Sequence, residues 1–431
     1  MWSGWCVEMH GARLAGIGIL SCLLFGVSLQ AQTTFIVGIC AHLADNPTPL
    51  PSQLTLIGQT GANSVRDDAH WSRVEAAKGH LAIPAGLDDL VDQALKTNVQ
   101  PLFILDYGNS FYDGGRKPAS PEALSAFARY AVFVVQHFKG RVHMYEMWNE
   151  WDDTAGGTHP GTPQDYVRFL RVVYPAAKAA DPSAVFLAGA VSAGGLDWLS
   201  GMLSAGALGF FDAISTHPYN FSRHTRTTDG WATDMLATEG VIHRYTGGHD
   251  LPLYISEMGW PTYSGPGGSS PKEAAAFLAQ MFLLARTMDF IRGIWWYDFR
   301  DDGSDLTKAG DNFGLVDPSL KPKPAFTALK AVATVVRDAS TVEVLPTGNP
   351  SLRALRFRLN GDNQLLALWD TNRAGAIRVH VKGSVPLQIR SIDTDGYDAL
   401  AVGADTKEQT IEISGTPVLI TGAILDFTTI K

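Results

Sequence analysis

The chain has 431 residues, a formal net charge of −9, 45% hydrophobic residues and 18% charged ones. That length accommodates one barrel-sized domain with a smaller companion, or two to three average domains. The acidic balance argues against nucleic acid and, less strongly, against polyanionic substrates, so neutral or weakly charged partners fit better.

In chain order, the first feature is "LAGIGILSCLLFGVSL" (Leu14–Leu29), an apolar run that follows Arg13 and leads into "QAQTT". It reads as a secretory leader cleaved near Ala31, with a retained membrane anchor as the competing reading. Residues 1–31 are therefore expected to be a signal peptide or N-terminal anchor, and the protein to be secreted or periplasmic. Any membrane attachment would run through that segment alone. Cys6 and Cys22 would leave with a cleaved leader. Cys40 would then stand alone in an apolar run, which excludes an intrachain disulfide and a cysteine-based zinc site.

Eight short apolar runs follow, each ending in a polar cluster: Phe35–Cys40, Ala62–Asp68, Gln100–Asn109, Val142–Glu150, Ala184–Val191, Phe211–Asn220, Leu251–Trp260 and Arg292–Arg300. Helical periodicity fills the gaps. "PEALSAFARYAVFVVQHF" carries Ser120 as an N-cap with Pro121 in the first turn, and Ser270-Pro271 opens a later helix in the same way. Near-continuous apolar strands alternating with helices mean a parallel sheet covered on both faces. Eight such units predict an α/β fold, a (β/α)8 TIM barrel over 32–338. Beyond it, seven short alternating stretches from "STVEVL" to "PVLITGA" predict a small antiparallel β-sandwich over 339–431. The strand parity of Trp369 in "LALWDT" points to a core position and to a supporting role for this tail.

Barrel enzymes collect their working residues at the C-terminal strand ends. Here those ends carry Arg66, Asn149-Glu150, His217, Tyr219, Glu257 and the pair Trp295-Trp296. Either glutamate alone would ordinarily be a solvated loop residue. Together, after the fourth and seventh strands, they can face each other across a sugar ring. One carboxylic acid would protonate a leaving glycosidic oxygen while the other carboxylate attacks the anomeric carbon. Arg66 and Tyr219 are expected to keep Glu257 ionised, and the flanking Trp148 and Trp151 to desolvate Glu150. Glu146 has the parity of an interior, paired carboxylate. The histidines His70, His137 and His159 are expected to have no catalytic role, no pair of them has metal-ligand spacing, and no metal site is expected.

Several segments carry a family resemblance. "YEMWNEW" and "YISEMGWPT" resemble the acid/base and nucleophile strands of clan A retaining glycoside hydrolases. "VRDDAHWSRVEAAKG", "HFKGRVHMYEMWNEW" and "FGLVDPSLKPKPAFTAL" resemble family 39 of that clan, especially its bacterial exopolysaccharide-cleaving members. The resemblance runs from about Phe35 to Leu329 and rests on Asn-Glu, Ser-Glu, the arginine after strand two and His-Pro-Tyr occurring in order. It implies Glu150 as acid/base, Glu257 as nucleophile, and Asn149 on the sugar 2-hydroxyl. It also implies Arg66 and Tyr219 holding the nucleophile, His217 lining the site, and Trp296 or Trp295 as the sugar platform. Trp151 stands where many clan members have proline.

Trp71, Tyr107, Tyr112, Trp151, Trp260 and Tyr263 also follow strand ends, and as a set of stacking surfaces they favour a groove for several sugars. The glycine-rich "YSGPGGSS" lacks the lysine of a phosphate loop and reads as a flexible rim. The sequence reading is thus a retaining β-glycoside hydrolase, a monomer acting in endo fashion on a polysaccharide such as a bacterial exopolysaccharide, without a cofactor. An exo-acting β-glycosidase such as a β-xylosidase, or a transglycosylase, would use the same residues. A catalytically silent carbohydrate-binding or polysaccharide-export protein is the alternative of another class.

Overall fold

In the computed structural model the eight apolar runs become eight parallel strands that close on themselves in chain order. The structure describes residues 34–44, 49–154, 159–192, 195–223, 225–359, 363–372, 377–392, 406–422 and 424–430. The expected leader, 1–31, lies outside the described residues. The strands are β1 (Ile36–Cys40), β2 (Ser64–Asp68), β3 (Gln100–Leu105), β4 (Met144–Met147), β5 (Val185–Val191), β6 (Ala213–Thr216), β7 (Leu253–Met258) and β8 (Ile291–Trp296). β8 pairs with β1 from Ile36↔Gly293 to Ile39↔Trp296, which closes the ring.

The helices of the outer ring are α1 (Leu50–Gln59), α2 (Trp71–Val74), α3 (Ala85–Lys96), α4 (Pro121–His137), α5 (Pro163–Ala180), α6 (Leu196–Ser204), α7 (Thr228–Thr246), α8 (Pro271–Ala285) and α9 (Pro324–Asp338). Their starts follow the sequence signals. The Ser120 hydroxyl accepts from the Ala123 N–H at 3.2 Å, and Ser270 with Glu273 forms a reciprocal capping box at α8. Among the described residues no helix is long and apolar enough to cross a membrane.

The barrel interior is packed. Cys40, Leu102, Leu187, Ala213 and Trp295 form one buried cluster, with the Trp295 indole donating to Ser64 Oγ at 3.0 Å. An indole fits inside an eight-stranded barrel only if a facing position is empty, and Gly38 supplies that space. A Cβ built there would collide with the Trp295 ring.

After α9, eight antiparallel strands are described: β9 (Thr341–Val344), β10 (Leu352–Arg358), β11 (Gln364–Asp370), β12 (Ile377–Gly383), β13 (Gln388–Ser391), β14 (Glu408–Ile413), β15 (Val418–Thr421) and β16 (Ile424–Ile430). The sequence reading anticipated seven and missed β16, which pairs with β12. One sheet runs β13-β15-β11-β10-β9 and the other β14-β12-β16. Alternation sorts the side chains as a pleated strand must. Leu352, Ala354, Leu366 and Leu368 meet Val379, Val381 and Ile413 of the second sheet. Leu355, Phe357, Leu365, Ala367 and Trp369 face the other way and join the barrel's own core. Strands β10 and β11 are therefore largely buried on both faces, and Trp369 sits in the core as its parity suggested.

Gly38→Ala tests the packed interior. Overfilling such a site costs about 1–3 kcal/mol, so the urea unfolding midpoint is expected to fall. A midpoint equal to that of the parent would contradict this packing.

Candidate active site

The site is assembled around one buried guanidinium. Arg66 ends inside the barrel mouth, 3% exposed. Its Nε donates to Glu146 Oε2 at 2.8 Å, Nη1 to Glu257 Oε1 at 2.7 Å, and Nη2 to Asn149 Oδ1 at 2.8 Å. Glu146 is fully buried, as its strand parity predicted, and serves this ion pair. Burial opposes charge on Arg66, but the carboxylates of Glu146 and Glu257 outweigh it and keep the guanidinium protonated.

Glu150 lies three residues beyond the end of β4, not on it. The chain leaves the strand through left-handed backbone at Trp148 (φ 79°) and again at Glu150 (φ 46°). Such conformations in non-glycine residues persist only where surrounding contacts enforce them. The Trp148 and Trp151 indoles provide that constraint by inserting among Phe127, Tyr166 and Phe169 behind the strand. They therefore pack away into the core and do not sheathe the Glu150 carboxylate, contrary to the sequence expectation. Its side chain remains 20% exposed.

Glu257 comes from β7 where the register against β8 slips between Ile255 and Met258. Consecutive strand residues normally face opposite sides, and a bulge relaxes that rule. Here Ser256 and Glu257 both reach His217, which follows β6. Ser256 Oγ is 3.1 Å from His217 Nε2, and Glu257 Oε2 is 3.7 Å from His217 Nδ1. The same Nδ1 contacts Glu150 Oε1 at 2.9 Å. The imidazole thus bridges the two glutamates, whose nearest carboxylate oxygens lie within 4.8 Å of each other. Burial lowers the His217 pKa, but Glu257 and Glu150 outweigh it and raise the value above the ordinary histidine range.

Tyr219 donates to Glu257 Oε2 at 2.9 Å. Burial pushes the Glu257 carboxyl up. The charges of His217 and Arg66 and the hydrogen bonds from Tyr219 and Arg66 prevail and hold it below the usual carboxylate value. Asn149 completes the frame by donating from Nδ2 to the Tyr107 hydroxyl at 2.8 Å. Glu150, Glu257, Arg66, Asn149 and Tyr107 line a cavity of about 360 Å³ with His42, Asp68, His70 and Tyr297.

The structure thus brings together six of the sequence candidates: Arg66, Asn149, Glu150, His217, Tyr219 and Glu257. It does not bring the tryptophans. Trp71 is fully buried, stacked on Tyr112 and bonded to Glu75 Oε2 at 2.7 Å. Trp151 packs as described above, and Trp260 lies flat on Phe277 with its indole donating to Asn220. Trp295 fills the barrel interior, and Trp296 is buried on the opposite face of β8. An indole gains more from full burial behind a strand than from an exposed lip, which is why a tryptophan count at strand ends misleads. The aromatic ring that β8 does bring to the cavity is Tyr297, one residue beyond the strand. Gly259 makes room for its backbone, since a Cβ there would collide with the Tyr297 carbonyl. Sequence reading missed Tyr297 and Ser256. The signal for Tyr297 was its place as the first residue past the strand.

Among the described residues, three groups of side chains have ligand atoms close enough to share an ion: Glu150 with His217 and Glu257, Asp68 with His70 and Asp106, and Glu239 with His243 and Asp250. In the first, His217 Nδ1 is already committed to Glu150.

No protein-family model and no curated protein sequence matches the chain. Solved structures do. A family 39 glycoside hydrolase from the gut symbiont Bacteroides cellulosilyticus superposes with a TM-score of 0.75 at 24% identity, over 91% of this chain and 81% of that one. A monomeric beta-xylosidase from Caulobacter crescentus gives 0.62 at 16%, covering 90% and 96%. A family 30 endoxylanase from Clostridium papyrosolvens gives 0.60 at 14%, covering 91% and 98%. The barrel with its appended β-sandwich is thus a fold that solved glycoside hydrolases share.

Glu257 links this geometry to stability. Its folded pKa lies below the unfolded value of about 4.3, so its contribution is full above that value and is lost as pH falls through the folded one. Carboxyl-carbon NMR should show it titrating below an ordinary glutamate. Arg66→Met leaves two buried carboxylates without their cation, at a cost of about 3–5 kcal/mol. The Glu257 titration is expected to move upward in that variant, and an unmoved titration would contradict the role given to Arg66.

Proposed function

We propose that this protein is a retaining β-glycoside hydrolase of the family 39 kind, working by double displacement with Glu257 as nucleophile and Glu150 as acid/base. The observation that carries the reading is the pair itself: two carboxylates at the ends of β4 and β7, with oxygens within 4.8 Å. Retaining enzymes hold their carboxyl groups about 5–5.5 Å apart, whereas inverting ones leave about 6.5–9.5 Å for a water. The shared fold supports the same assignment.

The neighbours divide the labour. Arg66 and Tyr219 keep Glu257 ionised and aim its oxygens, which suits attack on an anomeric carbon. His217 donates to Glu150 or gives up that bond as Glu150 exchanges its proton with the leaving oxygen and then with water. Asn149 uses Oδ1 for Arg66 and one amide hydrogen for Tyr107, which leaves its second hydrogen for a sugar hydroxyl. Tyr297 takes the platform role expected of Trp296, since it is the β8 aromatic that lines the cavity.

The substrate is an oligo- or polysaccharide, and the apolar N-terminal segment fits export to where such polymers lie. The monomeric beta-xylosidase among the neighbours supports a monomer. The aromatic set that favoured a long groove is largely buried, so endo action draws no support from it. Oligosaccharide length in the products decides between endo and exo cleavage.

Reducing-end release from xylans, mannans, glucans and bacterial exopolysaccharides is the test. Glu257→Gln is expected to abolish release. Glu150→Gln is expected to slow it by about 10²–10⁴-fold, the usual contribution of a general acid. Equal release by the parent and Glu257→Gln, or binding of a polymer without any release, would overturn the hydrolase reading in favour of a binding protein.

A further inference from the structure

The catalytic account gives Asn149 a sugar hydroxyl but leaves Tyr107 with nothing to do except hold Asn149. Tyr107 follows β3 and lines the same cavity as Glu150 and Glu257. The sequence reading counted it among the stacking surfaces, and the structure uses its ring otherwise. The ring stacks on His70, centroids 5.9 Å apart, and stands at 84° to Trp148 at 5.8 Å. The end of β3 also holds the turn out of β4, since the Trp148 N–H donates to the Leu105 carbonyl at 3.1 Å. Tyr107 is thereby fixed against the residue that precedes Asn149.

Hydrogen-bond chemistry decides which way each group points. Arg66 has only hydrogens to give, so its Nη2 must face the Asn149 carbonyl oxygen, as it does at 2.8 Å. The amide nitrogen is then turned to Tyr107, whose oxygen accepts at 2.8 Å. A phenol that accepts through its oxygen still has its own hydrogen to donate. Burial pushes the Tyr107 hydroxyl well above its ordinary value, so that hydrogen is retained. Among the described residues, neither this hydrogen nor the second amide hydrogen of Asn149 meets an acceptor. Two unspent donors thus sit on atoms 2.8 Å apart, in a cavity whose other lining includes the carboxylates of Asp68, Glu150 and Glu257. Their place in the reaction is set by Arg66, because the guanidinium that holds Asn149 also holds Glu257 at 2.7 Å.

We propose that Tyr107 is a sugar-binding residue, its phenolic hydrogen and the unspent amide hydrogen of Asn149 converging on one oxygen, the hydroxyl next to the anomeric carbon of the sugar that Glu257 attacks. The inference rests on the glycosidase reading and adds a specificity residue to that same site. A sugar hydroxyl oxygen carries two lone pairs, which is what two adjacent donors require. Tyr107 acts twice on that hydroxyl: it donates to it, and it keeps the Asn149 amide turned toward it.

The experiment measures kcat/KM for activated aryl β-glycosides of xylose, glucose and galactose, each beside its 2-deoxy analogue. The parent protein and Tyr107→Phe are run side by side, with Glu257→Gln as the blank. Tyr107→Phe keeps the ring and removes the hydroxyl alone. The preference for a sugar over its 2-deoxy analogue is expected to fall at least about fivefold from parent to variant, the worth of one hydrogen bond. Any smaller change overturns the inference while the hydrolase reading stands, since a merely structural Tyr107 would slow both substrates alike. The preference is a ratio within one protein, so it does not depend on how much of the variant folds. Release from polymers without cleavage of any aryl glycoside also overturns the inference alone, because the seat described here holds that one sugar. Cleavage of neither polymer nor aryl glycoside above the blank overturns both.

Discussion

Everything at the mouth of this barrel depends on the buried Arg66 guanidinium. One cation inside a protein is costly unless its charge and all its hydrogens are used. Arg66 meets that condition with Glu146 and Asn149 from around β4 and Glu257 from β7. Two remote segments of chain, around β4 and at β7, are thereby tied to β2 through one rigid planar group. The fork geometry of arginine, with donors in one plane, is what allows this, and a lysine could not hold three acceptors in the same way. The tie also explains Glu146, a buried interior carboxylate whose charge balances the cation that holds Glu257.

His217 is the second constraint. It lies between the two glutamates, and one ring nitrogen faces both of them. Ser256 fixes that ring from behind, and the register slip in β7 is what lets the residue next to Glu257 do so. The two carboxylates differ because their partners differ. Glu257 meets a guanidinium, a phenol and an imidazole, while Glu150 meets the imidazole and is the more exposed of the two. That asymmetry is what a nucleophile and an acid/base require of two identical side chains.

How far the sequence revealed this architecture follows from what period and spacing encode. Eight apolar runs with capped helices between them carry the barrel on their face, because a parallel strand buried on both sides has no other composition. The strand ends then named Arg66, Asn149, Glu150, His217, Tyr219 and Glu257, because taken together they fall where a barrel gathers its working residues. The aromatics carry no such label. Trp71, Trp151, Trp260, Trp295 and Trp296 occupy the same kind of position as Tyr297, and which of them turns toward the cavity depends on backbone turns past the strand that no period describes. Left-handed residues at 148 and 150 and the slip beside Ser256 are likewise set by tertiary packing. Strand β16 escaped because "ILDFTTI" alternates weakly, and its partner β12 supplies the order that its own sequence does not.

The central claim is that Glu150 and Glu257, whose carboxylate oxygens lie within 4.8 Å of each other, act on one glycosidic bond by double displacement. The anomeric configuration of the first-formed product tests it most directly, followed by proton NMR before mutarotation sets in. On a β-linked polymer this protein cleaves, the geometry predicts that the β-anomer appears first and the α-anomer only later. An α-anomer formed first would mean direct attack by water, and the double-displacement account would fall.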